Sequence, residues 1–485
     1  MEALENTSCP QVFRWFAELN QIPRCSGNEK AVSDWLAAFA RERGLKVVQD
    51  EAYNIVIAKP GTAGYEQAPT VILQGHMDMV CEKEPDSPHD FTTDPIAFLI
   101  DGDFLHADRT TLGADNGVAV SFGLALLDAD DVAHPPVEFL ITTSEETGMD
   151  GASALDPGHL SGRRMINIDS EEEGKLLVSC AGGINVTLKL PIAWQDLPGD
   201  RRVLRLRVDG LQGGHSGLEI DKQRGSANKL LGRVLLDLDQ ALDLRLCSVN
   251  GGSKHNAIPR EAQACLGVLP DEEKALRAKV DEWTAILKGE LEGADPGVRV
   301  SLDAADDEPR RAFSSEAAAN AVRILCLVPA GVLSMSTEIP GLVQTSNNLG
   351  VVVTTEDEVT FQSAIRSSVR TQKADVVAQL GLIAEVTGAA VVHSSDYPEW
   401  QYDPASELRG IFVDTYAEMT GEKPEISAIH AGLECGLFSE KFNGEIDLIS
   451  FGPNVYDVHT PKEHISISSV ERTYDYLIKV LAKLT

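Results

Sequence analysis

Residues 71–80 read VILQGHMDMV, a short apolar and β-rich run that ends in a histidine and an aspartate. The run predicts a buried strand, and the i, i+2 spacing of His76 and Asp78 at its end places both side chains on one face. Similar runs occur on both sides of it along the chain: LKVVQD, NIVIAK, VEFLITTS and MINID. Helical segments, one ending near Gly44 and one over residues 118–127, alternate with these strands, which predicts an α/β core.

Two Ser-x-x-Glu sequences mark predicted helix starts. Ser26 and Glu29 precede apolar residues at helical spacing, and Ser468 and Glu471 precede the last helical pattern of the chain. In a capping box the serine hydroxyl and the glutamate carboxylate satisfy free N–H groups of the first turn. We therefore expect both pairs to cap helices.

The chain of 485 residues is long enough for two or three domains. After about Leu190 the pattern changes: VLRLRV alternates apolar and basic residues at period two, and two successive sets of strands and helices follow. From about Val391 strand and helix segments return. We therefore predict a discontinuous core domain, residues 1–190 and 389–485, with residues 191–388 inserted as two α+β units.

Acidic residues dominate the charge. There are 75 Asp and Glu residues against 42 Lys and Arg residues, a formal net charge of −33. Such a field repels phosphate backbones and anionic lipid, so neither nucleic-acid binding nor membrane-surface binding is expected. The acidic runs Glu171–Glu173 and Asp306–Glu308 are interpreted as solvated faces that supply part of this charge.

Targeting signals and cysteine pairs are not apparent in the sequence. The N-terminus, MEALENTSCP, lacks the basic and apolar regions of a secretory signal, and no apolar stretch reaches the ~20 residues of a transmembrane helix. Eight cysteines at wide, irregular spacing indicate neither a disulfide framework nor a zinc ribbon. We expect a cytoplasmic protein.

Acidic residues and a second histidine follow the other predicted strands. They are Asp115 in TLGADNG, Glu145 and Glu146 after VEFLITT, Asp169 in MINID, and His459 in FGPNVYDVHTP. Ligands of open α/β sheets bind at the carboxyl ends of the strands, so these side chains are expected to converge with His76. Such a set of oxygen and nitrogen donors suits Zn²⁺, Mn²⁺ or Co²⁺. Taken singly, each of these residues is more often a helix cap, a solvated loop residue or a hydrogen-bonded polar residue.

A family resemblance rests on motifs that keep their order along nearly the whole chain: GHMDMV, LGADNGVA, TSEETGMDGA, NIDSEE, GGHSG, HNAIPRE and GPNVYDVHTP. These motifs resemble the two-zinc exopeptidases and deacylases of the aminoacylase and carboxypeptidase clan, and in detail they are similar to its bacterial cytosolic dipeptidases. The resemblance implies a zinc-exopeptidase-like mixed sheet flanked by helices, with an inserted α+β lid domain. It also implies two divalent metal ions, with Zn²⁺ as the first choice.

The resemblance assigns the metal ligands. Asp115 would bridge the two ions, with His76 and Asp169 completing one site and Glu146 and His459 the other. Asp78 would hold the imidazole of His76 in its ligating tautomer. The peptide bond Asp115–Asn116 is expected to be cis. These roles follow only from the resemblance of the motifs to those of the family.

The resemblance also assigns the reaction. Glu145 would be the general base toward a metal-bridged water, which requires an irregular backbone after Ser144 because adjacent strand residues point to opposite faces. We infer a loop there. His215 would stabilise the oxyanion, although a turn histidine is the alternative. Asn256, Arg366 and Gly432 would bind the substrate carboxylate, and Arg370 is an alternative to Arg366.

The resulting prediction is a dipeptidase that hydrolyses Xaa-His dipeptides, including β-Ala-His. The alternatives are an N-acyl amino-acid deacylase of the same fold and a catalytically silent metal-binding relative. Glu145, which is not a predicted ligand, favours an enzyme. A homodimer is expected from the resemblance, and whether His215 would act within one chain or across the dimer stays open.

Overall fold

A computed structural model of the protein describes residues 2–305 and 309–485. The acidic run Asp306–Glu308 lies outside the described residues. The chain forms two compact units. Unit 1 comprises Met1–Ser179, Tyr402–Ala428 and Leu433–Thr485, and unit 2 comprises Cys180–Gln401 and Ile429–Gly432. The predicted insertion, residues 191–388, lies inside unit 2.

The helices of the described residues are α1 (Glu2–Glu5), α2 (Pro10–Leu19), α3 (Lys30–Glu42), α4 (Ala114–Asp128), α5 (Glu145–Gly148), α6 (Asp150–Ala154), α7 (Ala227–Ala241), α8 (Glu273–Glu290), α9 (Ser315–Leu327), α10 (Arg370–Thr387), α11 (Glu407–Thr420), α12 (Glu434–Lys441) and α13 (Ile467–Leu481). Two short 3₁₀ segments span Pro157–His159 and Ile220–Lys222.

The first strands along the chain are β1 (Lys46–Gln49), β2 (Ile55–Lys59), β3 (Val71–His76), β4 (Phe98–Asp101), β5 (Phe104–Ala107), β6 (Val137–Thr142), β7 (Arg164–Asn167) and β8 (Lys175–Cys180). Those that follow are β9 (Gly182–Pro191), β10 (Trp194–Asp196), β11 (Arg202–Asp209), β12 (Gly214–His215), β13 (Arg245–Gly251), β14 (Ala257–Ile258), β15 (Ala262–Val268), β16 (Arg299–Ala304), β17 (Arg311–Phe313), β18 (Gly331–Met335), β19 (Val343–Thr354), β20 (Glu358–Ser367) and β21 (Ala390–Tyr397). The last strands are β22 (Glu425–Ile429), β23 (Asp447–Ser450), β24 (Val455–Tyr456) and β25 (His464–Ser466).

Unit 1 is built on a mixed sheet with the strand order β1-β2-β6-β3-β7-β23-β8-β22. Strand β3 pairs in parallel with β6 and with β7, and β7 pairs in parallel with β23. All six residues of β3 are buried, as expected for a central strand of a sheet covered on both faces. The parallel pairing places the carboxyl ends of β3, β6 and β7 at one edge of the sheet. The predicted fold class is confirmed.

Unit 2 is built on a second sheet with the strand order β16-β11-β15-β13-β19-β20-β9-β21, and β18 pairs with β19. Along β11 the side chains of Leu204, Leu206 and Val208 are buried while Arg205 and Arg207 are half-buried, which confirms the period-two pattern. Strand β9 pairs with both β20 and β21, and for this reason the unit extends beyond residues 191–388 on both sides. Each unit has its own apolar core.

Both predicted capping boxes are wrong. Helix α3 follows Glu29, but the hydroxyl of Ser26 donates to Asp78 at 2.7 Å and does not cap the helix. At the last helix, Ser466 is the N-cap and its hydroxyl accepts from the N–H of Ser469, whereas the hydroxyl of Ser468 donates to Asp103. In both places the serine hydroxyl binds an aspartate that is distant in the sequence, in competition with the local capping hydrogen bond that the motif predicts.

A disulfide joins Cys25 and Cys81, which the cysteine spacing did not predict. The two residues are 56 positions apart, and they meet because the segments around them pair. The N–H of Met79 donates to the carbonyl of Arg24 at 3.2 Å, and the N–H of Ser26 donates to the carbonyl of Met79 at 3.4 Å. Among helices in the described part of the chain, none combines the length and apolar character that a membrane crossing needs.

Candidate metal centre

The predicted metal ligands all lie in unit 1, at ends of its secondary structure elements. His76 ends β3, Asp115 lies in the first turn of α4, Glu146 lies in α5 after β6, Asp169 follows β7, and His459 lies in the loop before β25. The sheet topology therefore places three of these segments at the same edge. This is the convergence that the strand-end pattern predicted.

Asp115 has one carboxylate oxygen toward each of two groups of side chains. Its Oδ1 lies 3.2 Å from Nε2 of His76, which in turn lies 3.6 Å from Oδ1 of Asp169. Its Oδ2 lies 3.1 Å from Nε2 of His459, which lies 2.9 Å from Oε2 of Glu146. Donor atoms of His76, Asp115 and Glu146 fall within 4.8 Å of one another. The geometry is that of two adjoining donor groups that share one carboxylate.

The charge of this cluster suits bound cations. Five carboxylates and two imidazoles interact in this cluster, and they belong to Asp78, Asp115, Glu145, Glu146, Asp169, His76 and His459. Even with both imidazoles protonated and the buried Arg24 guanidinium beside them, negative charge remains in excess. Buried charge without compensation is costly, so this donor set fits divalent metal ions.

The pKa values of the groups in this cluster reflect the same excess of negative charge. Burial raises the pKa of Asp169, and although His76 opposes the shift, the nearby carboxylates of Asp115 and Asp78 add to it. Burial lowers the pKa of His76, but Asp169, Asp115 and Asp78 outweigh it and hold that pKa well above its usual value. Hydrogen bonds to Asp115 and Glu146 raise the pKa of His459 to about 11. Each imidazole therefore lies in a strongly negative potential.

Asp78 connects His76 to the segment that carries Glu145. Its Oδ1 lies 3.3 Å from Nδ1 of His76, opposite the nitrogen that faces Asp115. The N–H groups of Glu145 and Glu146 donate to its two oxygens at 3.2 and 3.4 Å. Asp78 is fully buried, and it fixes both the orientation of the imidazole and the position of the turn.

The backbone breaks after β6, as the adjacency of Glu145 and Glu146 requires. Ser144 adopts a left-handed conformation with φ of 53°, and a single helical turn, α5, follows where a loop was expected. The carboxylate of Glu29 accepts hydrogen bonds from the N–H and the hydroxyl of Ser144 at 3.0 and 2.9 Å. Glu29 therefore supports this turn, which explains why it does not act as the predicted helix cap.

Three further buried polar side chains lie near the centre, and the sequence analysis did not single them out. Asn116 accepts from the N–H of His76 at 3.1 Å and donates to the carbonyl of Ile168 at 2.6 Å, and the peptide bond before it is cis, as predicted. Glu434 is buried and accepts from Gln74 and Thr142. Burial raises the pKa of Glu434 to about 7. Glu463 is buried four residues after His459, close to the motif already quoted for the histidine.

The remaining predicted site residues lie in unit 2. His215 in β12 pairs with Ala257 in β14, and the N–H of Ser216 donates to the carbonyl of Asn256 at 2.9 Å. Gly432 belongs to the short segment Ile429–Gly432 of the same unit. His215 and Asn256 are thus neighbours through a backbone pairing that their separation in the sequence does not reveal.

Two features of unit 2 bear on the chemistry of its residues. Nδ1 of His215 accepts from the N–H groups of Gly217 and Leu218 at 3.2 and 3.1 Å. Burial and then Arg366 lower the pKa of His215. The imidazole is therefore neutral with its proton on Nε2, which is the form that donates a hydrogen bond from that nitrogen.

The two candidate arginines have different partners. Nη1 of Arg366 donates to the phenol oxygen of Tyr397 at 2.9 Å, whereas Nε of Arg370 donates to the carboxylate of Glu399 at 3.0 Å. A carboxylate partner compensates the charge of Arg370, and a neutral phenol does not compensate that of Arg366. Of the two, Arg366 is better suited to bind a substrate carboxylate.

Comparisons with known proteins agree with this architecture. A sequence profile described as peptidase family M20/M25/M40 matches residues 72–483. The chain is 39% identical over 484 residues to the cytosol non-specific dipeptidase of Escherichia coli (strain K12), covering 100% of this chain and 99% of the relative. The solved structure of aminoacylhistidine dipeptidase from Vibrio alginolyticus is similar with a TM-score of 0.95 at 38% identity, covering 99% of this chain and 98% of that one.

A more distant structure, aminopeptidase PepT from Bacillus cereus ATCC 10987, has a TM-score of 0.58 at 15% identity over 99% of both chains and shares the fold. The profile match covers most of the chain, and both closer relatives span nearly its full length. The family resemblance inferred from the motifs is confirmed. The chain belongs to peptidase family M20/M25/M40.

Proposed function

We propose that this protein is a metal-dependent dipeptidase that hydrolyses Xaa-His dipeptides, including β-Ala-His, with two divalent ions at the centre in unit 1. The observation that carries the proposal is the arrangement of Asp115, with one oxygen toward His76 and the other toward His459. Zn²⁺ is the first choice, since the donors are imidazole nitrogens and carboxylate oxygens, and Mn²⁺ and Co²⁺ are alternatives.

The reaction follows from the placement of the side chains. Divalent ions held by His76, Asp115, Glu146, Asp169 and His459 would supply Lewis-acid chemistry, which would polarise the scissile carbonyl and lower the pKa of the attacking water. Glu145, held by its N–H on Asp78, takes the proton of that water and transfers it to the leaving amine. Asp78 keeps the imidazole of His76 oriented through the transfer.

Residues of unit 2 act on the substrate in this proposal. His215, neutral and protonated on Nε2, donates a hydrogen bond to the oxyanion as the carbonyl becomes tetrahedral. Arg366 pairs with the C-terminal carboxylate, with Asn256 and the backbone of Gly432 as further donors. A clamp on that carboxylate fixes its distance from the scissile bond, which selects dipeptides over longer chains.

The relatives support the substrate class and suggest the setting. The Escherichia coli relative is named a cytosol non-specific dipeptidase and the Vibrio alginolyticus relative an aminoacylhistidine dipeptidase, so both names agree on dipeptides and differ in breadth. We place the protein in the cytoplasm by this likeness, and we propose a homodimer from the motif resemblance.

A substrate panel tests the proposal. Purified protein loaded with Zn²⁺ is assayed on Xaa-His dipeptides, β-Ala-His, dipeptides without histidine, and N-acetyl amino acids. We expect the highest kcat/KM on Xaa-His. Faster hydrolysis of N-acetyl amino acids would replace the dipeptidase with a deacylase, and metal-loaded protein without activity on any of them would indicate a silent relative.

A further inference from the structure

Glu463 is a buried carboxylate, 2% exposed, and the metal centre as proposed above leaves it without a role. Its two oxygens accept hydrogen bonds from four consecutive backbone N–H groups, those of Leu112 (2.7 Å), Gly113 (3.0 Å), Ala114 (2.7 Å) and Asp115 (3.2 Å). The last of these N–H groups belongs to the residue whose side chain would bridge the two ions.

The N–H groups come from residues 112–115, the segment that leads into the regular part of α4, because Asp115 and Asn116 do not have helical dihedral angles. Gly113 has a left-handed backbone with φ of 70°, and the N–H groups on both sides of this turn point to the same carboxylate. A carboxylate that accepts several consecutive backbone N–H groups is stabilised by those hydrogen bonds. This accounts for an additional buried negative charge beside a cluster that is already acidic.

The same peptide groups are held from the other side. The side chain of Asn20 donates to the carbonyl of Leu112 at 2.9 Å, and the guanidinium of Arg24 donates to the carbonyl of Gly113 at 2.6 Å. Because both faces of this segment are bound by buried groups, the backbone of Asp115 has little freedom. The direction of its carboxylate depends on these contacts.

Glu463 also belongs to the turn that carries His459. Its own N–H donates to the carbonyl of Thr460 at 3.0 Å, and the hydroxyl of Thr460 donates to the carbonyl of Asp457 at 2.7 Å. His459 itself has a left-handed backbone with φ of 61°. One side chain therefore links the segments of Asp115 and His459, which are 344 residues apart in the sequence.

We propose that Glu463 is a positioning residue that sets the separation between Asp115 and His459, and through it the affinity for the ion that these two ligands share with Glu146. The inference rests on the proposed function because it presupposes the two-ion centre. It adds a residue that contacts neither substrate nor ion and acts through the backbone of one ligand and the turn of another.

The test measures the binding of Co²⁺ to metal-free protein by visible absorption, with a chelator as competitor. Glu463→Gln replaces one acceptor oxygen by an amide N–H₂ that faces backbone donors, so hydrogen bonds to the Asp115 segment are lost. We expect two ions in the wild type and a roughly 10–100-fold weaker affinity for one of them in the variant, the range for loss of a partner that orients a ligand. The other affinity should fall less, because that donor group shares Asp115 with the first but does not include His459.

Glu463→Asp separates geometry from charge. It keeps the negative charge but shortens the side chain, so a geometric role predicts weakening of the same ion, whereas a charge effect alone predicts affinities like those of the wild type. In a His459→Ala background, adding Glu463→Gln should weaken the remaining binding little further, because the two changes act on one ion.

Glu138→Gln is the matched control. Its carboxylate also accepts backbone N–H groups, those of Ser161 and Gly162, but at the opposite end of β6 from the centre. It should bind both ions as the wild type does. Equal weakening of both ions by Glu463→Gln, wild-type affinities for both, or failure of both Glu463 variants to fold while Glu138→Gln folds would overturn the inference. If the wild type itself bound no Co²⁺, the proposed function would fail first and the inference with it.

Discussion

The edge of the sheet in unit 1 that carries His76, Glu146 and Asp169 is built differently from the turn in unit 2 that carries His215. In unit 1 the parallel strands of a mixed sheet bring ligand segments together, and buried side chains such as Asp78 and Glu463 then fix them. In unit 2 a two-residue pairing of β12 with β14 places His215 beside Asn256.

The site in unit 1 is therefore formed by sheet topology, whereas the site around His215 in unit 2 is formed by a loop. A loop needs its own supports, and the buried carboxylate of Asp295 provides one by accepting the N–H groups of Gln212 and Gly225 at 2.7 and 2.6 Å, one on each side of His215. The donor groups of unit 1 are expected to tolerate little change. Substitutions of the proposed functional residues in unit 2 should change the reaction rate and leave metal binding unchanged.

Removal of metal should have the largest effect, and it acts on unit 1. Dialysis against a chelator is expected to lower kcat/KM by about 10⁴-fold or more, because the Lewis acid and the activation of water are lost together. Zn²⁺, Mn²⁺ or Co²⁺ should restore activity, and chelator saturated with Zn²⁺ beforehand serves as the control. Full activity in protein shown to be metal-free by elemental analysis would contradict the proposed function.

The adjacent pair Glu145 and Glu146 provides the next test within unit 1. Glu145→Gln should lower kcat by about 10²–10⁴-fold while both ions stay bound, since a general base is removed and the ligands are kept. Glu146→Gln should instead reduce the metal content. Elemental analysis of both variants beside their kinetics checks this, and the reverse pattern would exchange the two roles.

A substitution at His215 tests the proposed role of unit 2 in the reaction. His215→Ala should lower kcat by about 10²–10³-fold, the effect of losing one oxyanion donor, and leave the metal content unchanged. His393→Ala, which removes an exposed histidine of β21 in the same unit, is the matched control and should keep the wild-type kcat. A wild-type kcat for His215→Ala would make it a turn histidine with no role in the reaction.

Mixing two variants of reduced activity tests whether His215 acts across a dimer. Subunits of His215→Ala and Glu145→Gln are combined after exchange has been demonstrated by a size or label difference. Recovered activity indicates that His215 of one chain serves the centre of another. No recovery despite exchange indicates action within one chain.

Substitution of Arg366 should have a smaller effect, measured as the ratio of kcat/KM for Xaa-His to kcat/KM for Xaa-His-amide. The wild type is expected to prefer Xaa-His over Xaa-His-amide by at least about 30-fold in kcat/KM, the lower end of the cost of breaking a hydrogen-bonded charge pair, about 2 kcal/mol. Arg366→Ala should reduce this ratio. Arg370→Ala, whose guanidinium is paired with Glu399, is the control and should keep it. Equal kcat/KM for the acid and the amide in the wild type would exclude a carboxylate clamp.

The two regions also differ in how far the sequence predicts them. The strand-end acids of unit 1 could be placed together from sequence because a parallel sheet brings the carboxyl ends of its strands to one edge, and the run VILQGH is visibly a central strand. Glu463 and Asn116 were missed because their roles depend on backbone groups brought together only by folding. Ser26 and Glu29 were misread because a local motif cannot reveal that Asp78 and Ser144 compete for the same side chains.

The Cys25–Cys81 disulfide should have the smallest effect on catalysis, although it lies next to the segment of Asp78. It closes a long loop, so its reduction should lower the free energy of unfolding of unit 1 by about 2–4 kcal/mol. Activity should stay within about twofold, because Arg24 and Ser26 still hold the paired segment through hydrogen bonds to the carbonyl of Met77 and the carboxylate of Asp78. Urea unfolding and kcat are measured with and without reductant, and the double variant Cys25→Ser/Cys81→Ser is the control, which should match the reduced wild type and not respond to reductant. A large loss of activity on reduction that the double variant shares would mean that the covalent link, and not the hydrogen bonds, orients Asp78.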